Sequence, residues 1–169
     1  MSDPSYTIHP ESPDDGPAIE RLYERTFGPG RFAKTAYRLR ENHRHSVDLS
    51  FTALIGTLLV GSVRLSPIRI GSAAALLLGP LTVEPPFRSR GIGTALIARA
   101  LDEARSRGHR LVLLVGDEPY YGKCGFKPIP KGRVAMPGPV DPARLLICEL
   151  AGNGADDLSG PVKPDWTAV

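Results

Sequence analysis

At 169 residues and 41% hydrophobic content, the chain can bury one sizeable core and is too short to divide comfortably into two. A formal net charge of +3 and a pI near 9.0 suit anionic ligands in general, but fall short of a dedicated nucleic-acid protein. Two cysteines without a CxxC pair, no secretion signal, and a most apolar stretch (residues 51–63) broken by Gly56 and Gly61 argue against a disulfide framework, a zinc site and a membrane span, and for the cytoplasm.

Residues 6–9 predict a short first strand, after which Ser12-Pro13-Asp14-Asp15 supplies capping chemistry for a helix carrying Ile19, Leu22, Tyr23 and Phe27. Gly28-Pro29-Gly30 ends that helix, and residues 31–45, polar and basic with sparse apolar positions, predict a second, weakly amphipathic one. The β-branched and leucine-rich run over residues 47–70, interrupted at Gly56-Thr57, predicts two antiparallel strands joined by a tight hairpin. Residues 73–83 predict a third long strand with Gly79-Pro80 inside it. A proline cannot donate to the sheet ladder, so a bulge or local splay is expected there.

Pro85-Pro86 stops that strand. Residues 91–107 predict the strongest helix, with Ile97, Ala100, Leu101 and Ala104 on one face and Gly108 as its C-terminal cap. Residues 111–115 form a continuous apolar run suited to a strand buried on both faces and parallel to its predecessor across the helix. Residues 119–124 predict a short helix or turn, residues 128–142 loop or edge structure, and residues 144–150 a last strand. The expected organisation is one domain over residues 1–150 and a polar, proline-bearing tail over 151–169 that wraps the surface or stays mobile.

The turn Arg88-Ser89-Arg90-Gly91-Ile92-Gly93-Thr94 lies directly between a strong strand and a strong helix. At a helix N-terminus the first backbone N–H groups lack intrahelical partners and the peptide dipoles sum to roughly half a positive charge, which attracts phosphate. Gly91 and Gly93 let the backbone approach an anion closely, and Arg88, Arg90 and the Thr94 hydroxyl add side-chain donors. Two other phosphate loops recede: the chain has no GxxxxGK[ST], and Leu96 stands where a dinucleotide fingerprint needs its third glycine.

Leu78-Gly79-Pro80-Leu81-Thr82-Val83 followed by Arg88-x-x-Gly91-x-Gly93 resembles the pyrophosphate-binding motif of the GNAT superfamily of N-acetyltransferases. Tyr120-Tyr121-Gly122-Lys123-Cys124-Gly125-Phe126 is similar to that family's Y-x-x-x-G-F segment. The resemblance spans roughly residues 6–150, with its specific motifs between Leu78 and Phe126, and is nearest a bacterial branch of predicted acetyltransferases. It implies the acyl-CoA N-acyltransferase fold: a mixed α/β domain with a twisted, mainly antiparallel sheet that splays between its fourth and fifth strands and is flanked by helices. It further implies acetyl-CoA as co-substrate, held by residues 88–94 (Arg88, Ser89, Arg90, Gly91, Ile92, Gly93, Thr94), by Leu81, Thr82 and Val83, and by Tyr121. The asparagine that many members carry before the tyrosine helix is missing from Gly116-Asp117-Glu118-Pro119, so that cofactor contact is not carried over.

The implied reaction is acetyl transfer to a primary amine of a small molecule or peptide by direct attack in a ternary complex. A free alkyl amine has a pKa of about 10.4, so a base is needed; Glu84 is the first candidate, with Asp117 and Glu118 as alternatives. The resemblance assigns Tyr121 as the acid that protonates the departing thiolate, and the Val83 N–H as a donor to the thioester carbonyl. A non-catalytic module that binds or senses acyl-CoA is the alternative, and a nucleic-acid binder built on Arg31, Lys34, Arg38, Arg40 and Arg44 a distant third. His43-x-His45 lacks the acidic or cysteine partners of a metal site, so no metal is expected; Cys124 and Cys148 are expected to be packing residues. No nucleic acid or membrane partner is expected, and the resemblance suggests a homodimer.

Overall fold

The computed structural model describes residues 5–27, 45–152 and 154–165. The helix expected over residues 31–45, apart from His45 at its end, falls outside them, with the basic cluster and His43, as does the end of the tail.

The described strands are β1 (Thr7–Pro10), β2 (Ser46–Ile55), β3 (Leu58–Ile70), β4 (Ala73–Val83), β5 (Leu111–Val115), β6 (Lys127–Pro128), β7 (Val134–Ala135), β8 (Leu145–Glu149) and β9 (Gly160–Pro164). The described helices are α1 (Gly16–Phe27), α2 (Ile92–Ser106) and α3 (Glu118–Tyr121). The sheet runs in the order β1-β2-β3-β4-β5-β8-β6, and β9 pairs with both β3 and β7. Its pairings are antiparallel except β4–β5 and β7–β9.

Local chemistry sets the element ends. The Ser12 backbone N–H donates to Asp15 Oδ2 at 2.7 Å, half of a capping box that leads into α1. Gly56 takes φ +61° in the two-residue turn between Ile55 and Leu58, a conformation that strains residues with a Cβ. At the other end of α2, the Gly108 N–H donates to Arg105 O (3.1 Å) and the His109 N–H to Ala104 O (3.0 Å). With Gly108 left-handed, this is a Schellman cap.

The interruption expected at Gly79-Pro80 is a bulge. Leu78 pairs with Leu65 and Leu81 with Val63, so β4 spends one residue more than β3 over the same span. The bulge also marks where β4 leaves its parallel neighbour: Leu76 pairs with Val112 and Leu77 with Leu113, and no later β4 residue pairs with β5. On its other edge β4 stays bonded to β3 as far as Val83 and Gly61. A one-sided opening results between β4 and β5.

Alternation along β3 sends Val63 and Leu65 to one face and Ser62, Arg64 and Ser66 to the other. On the first face Ile92, Leu96, Ile97, Ala100 and Ala104 of α2 pack on Val63, Leu65, Leu76, Leu78, Val112 and Leu114. The opposite face is covered at one end by Ile19, Leu22 and Tyr23 of α1. Its other end holds Ile68, Ile70, Leu77, Leu113, Ile147 and Val162.

The strand expected over residues 144–150 forms as β8 (Leu145–Glu149) but is not the last one. Gly160–Pro164 forms β9, antiparallel to β3 through Ile70↔Val162 and Ile68↔Pro164. Val162 and the preceding Leu158 are buried. With one buried apolar side chain between two prolines, the segment carries no alternating pattern, and its pairing shows only once β3 offers a free edge.

Candidate active site

The opening between β4 and β5 faces the N-terminus of α2. Between Val83 and α2 the chain makes a 3-10 turn (Pro85–Phe87), then takes Ser89 (φ +65°) and Gly91 (φ +82°) through left-handed conformations. The first N–H to close onto the helix is that of Ala95, on Gly91 O at 3.0 Å. The N–H groups of Ile92, Gly93 and Thr94 precede that bond and point out of the helix end. A Cβ on Gly91 would meet open space, so the turn presents backbone rather than side chain to an incoming anion.

The flanking side chains are less free than their types suggest. Arg88 Nε donates to Val83 O (3.2 Å), tying the turn back to β4. The Arg90 guanidinium stands 5.3 Å from the Phe87 ring centroid. The Thr94 hydroxyl donates to Gly91 O (3.1 Å), so in this conformation its proton serves the turn itself. Leu81 and Val83 pack toward the α2 side. Thr82 points the other way; it is buried, and its hydroxyl has no hydrogen-bond partner among the described residues.

Glu84 sits where β4 ends, and both its carboxylate oxygens are engaged by α1: Arg25 Nε donates to Oε1 at 3.0 Å and Nη2 to Oε2 at 2.7 Å. Asp117 accepts from Arg144 Nε at 3.2 Å. Of the three carboxylates raised as bases, two are therefore in ion pairs, and Glu118 occupies the first turn of α3.

Tyr120 and Tyr121 diverge from adjacent positions. Tyr121 packs its ring against the bare Cα of Gly116 and edge-on to Phe126, 6.2 Å between centroids. Burial, helped by Tyr120 and Asp117, pushes its phenol up to about 12. Tyr120 is 40% exposed, and its hydroxyl lies over Gly93. Burial and Cys124 raise its phenol too.

Sequence reasoning did not single out Arg25, Tyr120, or the network of Glu11, His45 and Arg64. Glu11 is buried and accepts from Arg64 Nε (2.9 Å), and His45 Nε2 lies 2.6 Å from its other oxygen. Burial raises the Glu11 carboxyl, but the hydrogen bonds of His45 and Arg64 and the Arg64 charge outweigh it, and the net displacement is downward. These residues are far apart in sequence and form no motif; for Tyr120 the only signal was its place in a Tyr-Tyr pair.

Cys148 is buried and Cys124 partly so; both are free thiols that burial pushes up. Among the described residues no group of three or more His, Cys, Asp or Glu side chains is placed to hold a metal ion, and no helix is long and apolar enough to cross a membrane.

Residues 16–126 match the family described as acetyltransferase (GNAT) family. YhbS of Escherichia coli (strain K12), named an uncharacterized N-acetyltransferase, is 27% identical over 158 residues, covering 92% of this chain and 94% of its own length. The crystal structure of YhbS from Escherichia coli in complex with CoA superposes with a TM-score of 0.81 at 24% identity, over 98% of this chain and 93% of that one. A GNAT family acetyltransferase from Brucella melitensis in complex with acetyl-CoA gives a TM-score of 0.69 at 25% identity, over 97% and 98% of the two chains.

Proposed function

This chain belongs to the acetyltransferase (GNAT) family, and on that premise we propose that it transfers an acetyl group from acetyl-CoA to a primary amine of a small molecule or peptide, by direct attack in a ternary complex. The observation that carries this reading is the coincidence of two features at one place. β4 parts from β5 beyond Leu77, and the unbonded N–H groups of α2 face the opening.

In this reading the N–H groups of Ile92, Gly93 and Thr94, with Arg88, Ser89 and Arg90 around them, hold the diphosphate. Leu81 and Val83, on the edge of β4 that β5 leaves open, offer backbone groups to the amides of the pantetheine arm, with Thr82 between them bonded toward β3. The Val83 N–H serves the thioester carbonyl as charge develops on it. Acetyl-CoA supplies the activated acyl group; the protein supplies position, proton traffic and exclusion of water.

Glu84 acts as the base once an acceptor amine or a water exchanges with Arg25, since both its oxygens are occupied in the resting arrangement. The bidentate guanidinium already there supports a cationic group being accepted at this carboxylate. Tyr121 keeps its proton at neutral pH and so is a hydrogen-bond donor toward the departing thiolate, whose conjugate acid has a pKa of about 8.5. A cytoplasmic homodimer completes the proposal, supported by the free cysteines and by the family resemblance.

One observation favours the second reading, a non-catalytic acyl-CoA-binding module: Glu84 is ion-paired and Tyr121 is packed, so neither stands free for proton transfer. Calorimetric titration with acetyl-CoA, with Gly91→Glu as the control, tests the shared cofactor site. Saturable binding lost in the variant is expected. Amine-dependent release of free CoA then supports the enzyme, and binding without release under any amine supports the sensor.

A further inference from the structure

From the sequence Gly93 reads as room for an approaching anion, but in this fold another group already claims the space. A Cβ built on Gly93 would collide with the Tyr120 hydroxyl, with Tyr120 Cζ at 3.7 Å and Val83 Cγ2 at 3.8 Å beyond it. The phenol of α3 is thus seated on the first turn of α2, beside the last residue of β4. Tyr120 stands with Val47 and Leu58 as a large apolar side chain that the described fold leaves exposed. Its ring meets Tyr121 edge-on at 4.9 Å between centroids, which fixes its direction, and its hydroxyl makes no hydrogen bond among the described residues. An oriented, unbonded phenolic donor beside open helix N–H groups suits an anionic ligand that covers the ring and accepts from the hydroxyl.

We propose that Tyr120 is a cofactor-positioning residue: its ring walls the slot between β4 and α2, its hydroxyl donates to the diphosphate of CoA, and Gly93 is bare in order to seat that hydroxyl. The inference rests on the turn at residues 88–94 being the CoA site. It divides the Tyr-Tyr pair by task, with Tyr120 acting on affinity and Tyr121 on the leaving thiolate.

The test is a double-mutant cycle of Tyr120→Phe, Gly93→Ala and the double variant, titrated with CoA and assayed with acetyl-CoA and acetyl-pantetheine. Loss of one hydrogen bond to a charged group predicts about tenfold weaker CoA binding in Tyr120→Phe, with kcat at saturating acetyl-CoA unchanged. The deficit should disappear with acetyl-pantetheine, which lacks the diphosphate; because Tyr120→Phe keeps the ring, a wall role alone would leave both donors unaffected. Gly93→Ala should lower both CoA affinity and the unfolding midpoint of the unliganded protein. The double variant should be no worse than Tyr120→Phe, because without the hydroxyl the nearest ring atom is at ordinary contact distance. Unchanged CoA affinity in Tyr120→Phe, equal deficits with the two donors, or a Gly93→Ala loss that persists undiminished in the double variant would each overturn the proposal. A folded wild-type protein that binds no CoA overturns instead the site assignment beneath it.

Discussion

The sheet is packed differently beneath α2 and beneath α1, and one strand supplies both sides. On the α2 face, Val63 and Leu65 of β3 meet Leu96, Ile97 and Ala100 in a continuous apolar layer. On the α1 face the intervening residues are Ser62, Arg64 and Ser66, joined by Thr82 of β4 and Thr26 of α1. Arg64 lies 5.6 Å from the Tyr23 ring centroid and is neutralised by buried Glu11. The hydroxyls of Thr26, Ser62, Ser66 and Thr82 have no hydrogen-bond partner among the described residues. The first face carries stability and holds α2, whose N-terminus makes the candidate site. The second face is apolar at its far end, but beneath α1 it mixes Ile19, Leu22 and Tyr23 with buried polar groups, under the helix that also reaches Glu84 through Arg25. Buried hydroxyls without partners cost free energy, so this interface is weaker than its area implies.

Breaking the apolar face should have the largest effect. Leu96→Ala removes a fully buried side chain from under α2 and should lower unfolding free energy by about 3–5 kcal/mol in chemical denaturation. Breaking the ion network on the other face comes next: Glu11→Gln leaves the Arg64 charge largely uncompensated and should cost about 2–4 kcal/mol near neutral pH. That variant also has a pH signature. The folded-state pKa of Glu11 is depressed, so its stabilisation is fully present above the unfolded carboxylate pKa of about 4.3 and is lost as pH falls through the folded value. Melting curves of the wild type and Glu11→Gln should therefore start to converge as pH falls below the unfolded carboxylate value and coincide once it is below the depressed folded one. The smallest effect has the opposite sign. Thr82→Val removes an unbonded buried hydroxyl at nearly constant shape and should raise stability by up to about 1 kcal/mol. A clear loss in Thr82→Val would show a bonded partner there and narrow the difference between the two sides.

Much of the framework was legible because neighbouring residues enforce it. Gly56 marked the hairpin, the spacing of Ile97, Ala100, Leu101 and Ala104 marked the buried face of α2, and Gly79-Pro80 marked the bulge at which β4 leaves β5. The phosphate turn was legible for the same reason, since a strand end, two glycines and a helix start are contiguous. β9 was not, because a strand with two prolines and one buried side chain forms only against an edge supplied about ninety residues earlier.

The candidate site divides in the same way. The sequence by itself determined where an anion could be met by backbone N–H groups, because φ > 0 at Gly91 and the helix start at Ile92 are short-range consequences of residue type. Only the tertiary structure decided that Glu84 is paired with Arg25, that Glu11, His45 and Arg64 share one buried network, and that Tyr121 turns inward while Tyr120 lies over Gly93. Those outcomes depend on distances between residues far apart in the chain and on how much water each group loses, and neither quantity exists until the sheet and its helices have closed.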